Sequence, residues 1–312
     1  MTRTTDSDLA PRELRVLVAV ADTGGFSAAA GTLGLTQSAV SHSVRGSERK
    51  IGAVLFERGR SGARPTPAGE AAVAHARRVL RLLDVLVVEA RGASRSDVWE
   101  GPLRIAAFRS AALHLLPPVL ERLRARCPGI EPRVRIVREV GRGTAGEVSD
   151  GRADLAIATL GGSAPLAPGL VARGLFEEPY ALAHPVGHAS PRSLPLVDWA
   201  ESCGARTRTW WAAQDWIPAA TVEAEDDGAV LSLVGAGHGM AIMPALSLAG
   251  APASVGITPL GPRRPTRQVG YVTTPELAGS AVVRAVVREL RALGRVMDLP
   301  GGEGEGPAGD PE

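Results

Sequence analysis

Polar side chains between residues 36 and 49 carry groups that can read the edges of DNA bases. Gln37 can bond adenine through two hydrogen bonds and Arg45 can bond guanine in the same way, whereas a serine hydroxyl such as that of Ser38 more often holds phosphate. At 100° per residue the polar positions share one side of a helix, and they are Ser38, His42, Arg45 and Arg49, with Ser41 flanking them. The pattern predicts a recognition face, and a solvated polar helix face is the alternative.

The residues around this face have the form of a helix-turn-helix. Thr36 is placed to cap the helix that carries the polar face. Upstream, the small residues 27–30 let another short helix cross closely, and Gly34 separates the two helices by a tight turn. In such a motif the second helix enters the major groove. The stripe expected to face the core consists of Val40, Val44 and Ile51.

The stretch from Phe26 to Gly69, FSAAAGTLGLTQSAVSHSVRGSERKIGAVLFERGRSGARPTPAG, resembles the winged helix-turn-helix of LysR-type transcriptional regulators. The resemblance begins near Glu13 and implies DNA contacts from the second helix and from a wing whose arginines reach the phosphate backbone. Ser47 departs from the family, which usually has Leu at this inward position. The predicted DNA-binding residues are Thr36, Gln37, Ser38, Ser41, His42, Arg45, Arg58, Arg60 and Arg64.

The distribution of charge supports DNA binding by this segment, but the net charge of the whole chain does not. The whole chain has a formal charge of +2, so no general affinity for polyanions follows from it. Between Thr36 and Thr66, however, six basic residues stand against two acidic ones, a local excess of +4. Such an excess suits phosphate contacts and predicts binding that weakens as salt is added.

A long amphipathic helix is predicted after the wing. Thr66 can cap it, Pro67 suits its first turn, and it stops near Gly92. An ordinary buried helix is the alternative, but in the resembled family this linker helix pairs two subunits. Its heptad spacing favours the pairing of two copies, and the oligomer is expected to be a homodimer or a homotetramer. The predicted dimerisation residues are Ala76, Val79, Leu83 and Leu86.

Apolar strands alternate with helices through the rest of the chain. Such alternation predicts an α/β fold with largely parallel sheets, and nearly two hundred residues favour two lobes. Strands are expected near 103–108, 134–137, 153–158, 221–224, 240–243 and 268–273, and helices near 110–126, 144–150 and 280–293.

Three segments of this region, LRIAAFRSAALHLLPPVL, DGRADLAIAT and VGAGHGMAIMPAL, resemble the effector domain of the same family, which is similar to type-2 periplasmic binding proteins. The resemblance implies a discontinuous first lobe. The predicted architecture is therefore α plus α/β. Its parts are a winged helix-turn-helix at 9–66, a linker helix at 67–92 and an effector domain at 101–295, with lobe I at 101–176 and 267–295 and lobe II at 177–266.

A ligand is expected between the lobes, where strand ends and helix N-termini converge. Ser110 begins the helix after the first strand, and free N–H groups there favour an anion or a carboxylate. The resemblance places effector contacts at Ser110 and near the glycine-rich turn before Thr144, and simple helix capping is the alternative for both residues. The predicted effector-binding residues are Arg109, Ser110, Arg142, Thr144 and Thr207.

Several other patterns are interpreted as structural. The glycine run at 235–239 precedes its strand, so it does not match a dinucleotide-binding loop. Two histidines are assigned structural roles, three tryptophans are assigned to packing and the two cysteines are expected to be buried thiols, with a tryptophan in the cleft and redox sensing by the cysteines as alternatives. They are His184, His188, Trp210, Trp211, Trp216, Cys127 and Cys203.

No Walker loop, nucleophile elbow, zinc-binding helix or cysteine metal frame occurs, so no enzyme, metal or cofactor is predicted. The chain lacks a secretion signal and an apolar run of membrane-spanning length, and we expect a cytoplasmic protein with a disordered tail at 300–312. The leading hypothesis is a regulator that binds double-stranded promoter DNA and responds to an unidentified small-molecule effector. A solute-binding or ligand-sequestering protein and an architectural DNA binder without ligand are the alternatives.

Overall fold

The computed structural model describes residues 8–59, 62–92, 101–161, 165–199, 201 and 205–294. Two compact units are present: the first comprises residues up to 98 together with 149–153, and the second comprises the rest. Arg60, Cys203 and the predicted tail at 300–312 lie outside the described residues. In the described part of the chain, no helix combines the length and apolar character needed to cross a membrane.

The first unit contains three short helices, a two-stranded antiparallel wing and one long helix. The predicted helix-turn-helix and the predicted linker helix are both present. The elements are α1 (Pro11–Thr23), α2 (Phe26–Leu33), α3 (Gln37–Ile51), β1 (Phe56–Gly59), β2 (Gly62–Pro65) and α4 (Pro67–Gly92).

Side-chain caps and one glycine set the helix boundaries in this unit. Thr36 Oγ1 accepts a hydrogen bond from the backbone N–H of Ala39 at 3.2 Å, and α3 begins there as predicted. Thr66 Oγ1 accepts one from the N–H of Gly69 at 3.0 Å, at the start of α4. Gly34 has a φ of 65°, a left-handed conformation that favours glycine, and this allows the tight turn between α2 and α3.

The core of the first unit is formed by apolar residues of all four helices and the wing. Val40 and Val44 are buried as predicted, and Ser47 on the same stripe of α3 is fully buried. Ile51 is 40% exposed, so its predicted place in the core is wrong. It is the last residue of α3, where the apolar stripe extends beyond the core.

The second unit is an α/β domain. Its strands are β3 (Gly101–Ala107), β4 (Ile130–Ile136), β5 (Leu155–Leu160), β6 (Val171–Pro185), β7 (Leu196–Trp199), β8 (Ala220–Ala224), β9 (Ala241–Pro244), β10 (Val255–Pro259) and β11 (Thr266–Thr273). Its helices are α5 (Leu116–Arg126), α6 (Gly143–Ser149), α7 (Ala205–Ala212), α8 (Asp227–Gly235), α9 (Ala245–Leu248), α10 (Pro275–Ala278) and α11 (Ala281–Gly294). A π-helical turn, Ala111–Leu115, precedes α5.

The main sheet has the order β10-β6-β11-β5-β3-β4, with β9 also paired to β6. Strand β3 is parallel to β4 and β5, but β6 and β11 are antiparallel to each other and to their other partners. The predicted largely parallel sheet is therefore wrong, because the long strand β6 runs through both lobes. Its residues 171–179 pair with β11, whereas residues 181–185 pair with β10.

Most of the residues assigned to packing have structural partners. The three tryptophans pack against a buried cluster that includes Tyr180 and Met240, and the glycine run closes α8 ahead of β9. The His184 ring is buried between the carbonyl of Pro185 and the hydroxyl of Thr258, each at 2.9 Å. Cys127 is only half-buried, so the prediction that it is buried was wrong.

Candidate functional site

The polar face of α3 is directed to solvent. Its exposed residues are Gln37, Ser38, His42, Arg45 and Arg49. Ser41 differs from them, since it is 7% exposed and its Oγ accepts a hydrogen bond from Gln37 Nε2 at 3.0 Å. The Ser41 hydroxyl therefore orients the Gln37 amide on the outer surface of α3. A helix with this exposed face and a buried apolar stripe can present base-reading groups to a groove.

Contacts from α3 and α2 hold the wing in place. Glu48 Oε1 accepts a hydrogen bond from the N–H of Phe56 at 3.3 Å and another from the N–H of Leu55 at 2.8 Å. The Arg58 guanidinium lies over the Phe26 ring, 4.3 Å from its centroid, which joins β1 to α2. Both Arg58 and Arg64 are exposed, so the wing presents cations beside α3.

An ion pair joins α3 to α1 behind the recognition face. Lys50 Nζ lies 2.8 Å from both carboxylate oxygens of Glu13. The hydrogen bond from Lys50 lowers the pKa of Glu13, and the backbone N–H of Ala10 adds to the effect. The pair fixes the C-terminal half of α3 against the first helix.

Helix α4 has an exposed apolar stripe that differs from the predicted one. Ala76 is 1% exposed because it is packed inside its own chain, so its predicted place in a dimer seam is wrong. Leu83 is half-buried. The exposed members of the stripe are Val79, Leu82, Leu86 and Val87.

A second group of candidate residues lies at the carboxyl ends of the parallel strands β3, β4 and β5, which meet at one edge of the sheet. Ser110 follows β3 and is 3% exposed. Its backbone is already helical, with φ −64° and ψ −35°, and its side chain makes no capping hydrogen bond. The capping alternative for Ser110 therefore lacks support.

Glu139 connects two of these strand ends. Its Oε2 accepts the N–H of Thr144 and its Oε1 accepts the N–H of Thr159, each at 2.9 Å. Burial raises the pKa of Glu139, while the two N–H groups act in the opposite direction. The carboxyl group thus joins the loop before α6 to the end of β5. Thr144 is fully buried at the second position of α6 and its side chain interacts with Glu139, so its hydroxyl does not act as a helix cap.

A buried ion pair lies between the crossing strands. Arg267 on β11 donates from Nε to Glu178 Oε1 on β6 at 2.6 Å, and the N–H of Leu246 donates to Glu178 Oε2 at 2.6 Å. The Arg267 guanidinium also lies 4.8 Å from the centre of the Phe108 ring. Burial is the largest single effect and opposes its charge, but Glu178 together with Tyr180 and Glu139 outweighs burial and raises the pKa of Arg267. This cation was not predicted from the sequence.

Arg109 forms an ion pair across the two lobes. Its Nη1 lies 2.6 Å from Asp227 Oδ1, at the start of α8. A Cβ placed on Gly228 would lie 2.5 Å from Arg109 Nη2, so the guanidinium is pressed against this helix. The predicted cationic residue is therefore already paired with the second lobe. Of the other predicted contacts, Arg142 is exposed before α6 and Thr207 is buried within α7.

Comparison with known proteins gives matches along almost the whole chain. Residues 11–70 match the family described as "Bacterial regulatory helix-turn-helix protein, lysR family", and residues 96–295 match "LysR substrate binding domain". The chain is 36% identical over 250 residues to "Probable HTH-type transcriptional regulator LrrA" of Synechococcus elongatus, covering 78% of this chain and 83% of that protein.

Solved structures share the fold. ArgP from Mycobacterium tuberculosis is similar with a TM-score of 0.70 and 21% identity, over 93% of this chain and 99% of that chain. CbnR, in a complex with its target DNA, is similar with a TM-score of 0.63 and 22% identity, over 91% of this chain and 99% of that chain. The same succession of a helix-turn-helix and an α/β domain therefore occurs in both proteins.

Proposed function

This chain belongs to the LysR family of bacterial transcriptional regulators, and we propose that α3 reads operator DNA in the major groove under the control of a small molecule bound in the second unit. The observation that carries the proposal is the exposed polar face of α3, held on a buried apolar stripe. In this assignment Gln37 and Arg45 contact base edges, and Ser41 orients the Gln37 amide. The groups assigned to phosphate are Thr36, Ser38, His42, Arg58, Arg60 and Arg64.

The exposed stripe of α4 is assigned to pairing with a second copy of the chain. Val79, Leu82 and Leu86 recur at helical spacing and would be covered by the same residues of the partner. A two-fold pair of recognition helices matches two half-sites of an operator. Such pairing raises the affinity for paired half-sites, because the second contact becomes intramolecular.

The effector is assigned to the cleft that contains Ser110 and Thr144. Binding there controls DNA affinity only if the effector binds two lobe arrangements unequally. The chain acts by binding, without catalysis, and it works on chromosomal DNA in the cytoplasm. The first steps of the response are assigned to the ion pair of Arg109 and Asp227, which joins the lobes at this cleft.

Fluorescence anisotropy with the intergenic DNA beside the chain's own gene tests the proposal. We expect sequence-selective binding that weakens with salt, and a loss of about 1–3 kcal/mol in Arg45→Ala. Arg122→Ala removes the same charge from an exposed position of α5 and should bind like the wild type. No binding at low salt would favour a solute-binding protein, and equal binding to all sequences would favour an architectural role.

A further inference from the structure

A recess in the second unit lies between β11, α10 and α11. Its volume of about 450 Å³ falls within the range of about 300–1,000 Å³ that is typical of small-molecule sites. None of the residues that line it is among the predicted effector contacts, so the recess is separate from the cleft. The lining residues are Tyr271, Ala278, Val283, Arg284, Val287, Arg288, Arg291 and Ala292.

Three arginines of α11 form one wall of the recess. Arg284, Arg288 and Arg291 follow each other at spacings of four and three residues, which places them on one side of the helix, and all three are exposed. Arg284 Nη1 donates to the backbone carbonyl of Gly279 at the end of α10. Like charges at such spacings repel each other, so the grouping of three cations does not by itself stabilise the fold.

Carboxylates of the described chain do little to neutralise these charges. Arg288 Nε lies 3.6 Å from Glu289 Oε1, but Arg126 Nη1 already lies 2.8 Å from the same oxygen. Arg291 forms no ion pair or hydrogen bond with any residue that the structure describes. Its place in the last turn of α11 suits the helix dipole, but this reason does not apply to the two arginines before it.

Tyr271 adds a polar group without a partner to the same recess. The residue is 8% exposed, and its hydroxyl forms no hydrogen bond within the described part of the chain. Buried tyrosines usually find a partner for this group. Val283 and Val287, which are 1% and 7% exposed, add an apolar surface. A ligand in the recess therefore meets guanidinium donors, a phenol hydroxyl and apolar side chains.

A phosphate monoester matches this combination of groups. At neutral pH it carries a charge of about −1.5 to −2 and three acceptor oxygens. A carboxylate has a single charge and two oxygens, so it would neutralise the three cations less well. The planar guanidinium of arginine forms paired hydrogen bonds with phosphate, and the Tyr271 hydroxyl can donate to a remaining oxygen.

We propose that this recess binds a small molecule with a phosphate monoester group, held by the three arginines and by the Tyr271 hydroxyl. The exposed arginines alone would also suit the backbone of DNA. A duplex, however, cannot bring its phosphates to the buried Tyr271 inside a recess of this size, whereas a single phosphate group can. The site does not depend on which molecule occupies the cleft, and it adds a second ligand to the proposed regulator.

Calorimetric titration of the full-length protein with phenyl phosphate and with AMP tests this class of ligand. Phenol and adenosine are the matched probes without the phosphate group, and sodium chloride keeps the ionic strength equal. We expect saturable binding of both esters and no binding of phenol or adenosine. Failure of both esters to bind, or equal binding of the probes without phosphate, would overturn the proposal.

Substitutions in the recess show where the esters bind. The double variant with Arg288→Gln and Arg291→Gln changes two exposed side chains, so it should stay folded and bind the esters roughly 10- to 100-fold more weakly. Tyr271→Phe removes only the unpaired hydroxyl, and it should keep the melting temperature and weaken binding roughly 2- to 10-fold. Arg122→Gln makes the same change of charge at an exposed position of α5 and should keep the wild-type affinity.

Three outcomes would contradict the site. If the double variant and Tyr271→Phe both keep the wild-type affinity, the esters bind elsewhere and the proposal is wrong. Vesicles of phosphatidylcholine with phosphatidic acid offer the same group in a lipid, and retention on them without binding of either ester would exclude a soluble ligand. A double variant that binds unrelated duplex DNA more weakly, in a protein that binds neither ester, would assign the arginines to the DNA backbone.

Discussion

The replacement Leu86→Asp tests whether the stripe on α4 joins two copies of the chain. Leu86 is 61% exposed, the largest value among the exposed apolar residues of the stripe. Because its side chain contributes little to the core of its own unit, the substitution should leave that unit folded. It should act on association instead, by removing apolar surface and adding a charge at the proposed seam.

The size of the effect follows from the exposed part of the side chain. Full burial of a leucine contributes about 1.5–3 kcal/mol. The 61% that is exposed therefore corresponds to about 1–2 kcal/mol in each protomer. A two-fold interface contains the residue twice, which gives about 2–4 kcal/mol, or roughly a 30- to 700-fold weaker dimer. Repulsion between the two aspartates would add to this.

Sedimentation velocity over a dilution series measures the dimer dissociation constant directly. Asp84→Ala changes an exposed position on another side of α4 and should leave the constant unchanged. Ala76→Asp introduces a charge at a buried position and should unfold the first unit, which circular dichroism would detect. A folded Leu86→Asp protein with the wild-type constant would refute the seam.

Three further outcomes are expected. Ser41→Ala frees the Gln37 amide, so in anisotropy it should weaken operator binding by less than the roughly 1–3 kcal/mol expected for Gln37→Ala; an equal loss would contradict the orienting role. Lys50→Met removes the cation that lowers the pKa of Glu13. The stabilisation that this ion pair provides is present above the ordinary carboxyl pKa of 4.5, and it is lost as the pH falls through the lower pKa of the folded state. Urea unfolding should therefore show a loss of about 0.2–1 kcal/mol at neutral pH that disappears in acid. Glu178→Gln leaves a buried guanidinium without its counter-charge and should cost about 3–5 kcal/mol in urea unfolding, so a negligible loss would contradict the pairing.

Local patterns were sufficient to predict the helix-turn-helix. Thr36 caps α3 and the stripe of Val40 and Val44 is buried, because both features depend on residues within a few positions of each other. The helical spacing of apolar residues gave a wrong prediction at Ile51, because the apolar stripe continues to this residue but the core does not. The prediction for Ala76 was wrong for a related reason, since heptad spacing identifies an apolar stripe and does not specify which neighbour covers it.

The sheet of the second unit could be predicted only in part. Strands β3 to β5 match the predicted alternation, but β6 was not predicted. That strand starts in one lobe and ends in the other, and its partners β9, β10 and β11 all follow it in sequence. Antiparallel pairing over such separations leaves no local signal. The mixed sheet is therefore a consequence of how the chain passes between the lobes.

The burial of Arg267 could have been predicted from the sequence, but its partner could not. The predicted strand began at Gln268, yet extending the alternation back from buried Val269 puts Arg267 on the inward face. An inward arginine is costly unless it is paired, so a buried acid had to lie opposite, and Glu178 does. The sequence alone could not identify that partner. Only the folded sheet brings Arg267 and Glu178 together, because the two residues lie 89 positions apart in sequence on the neighbouring strands β11 and β6.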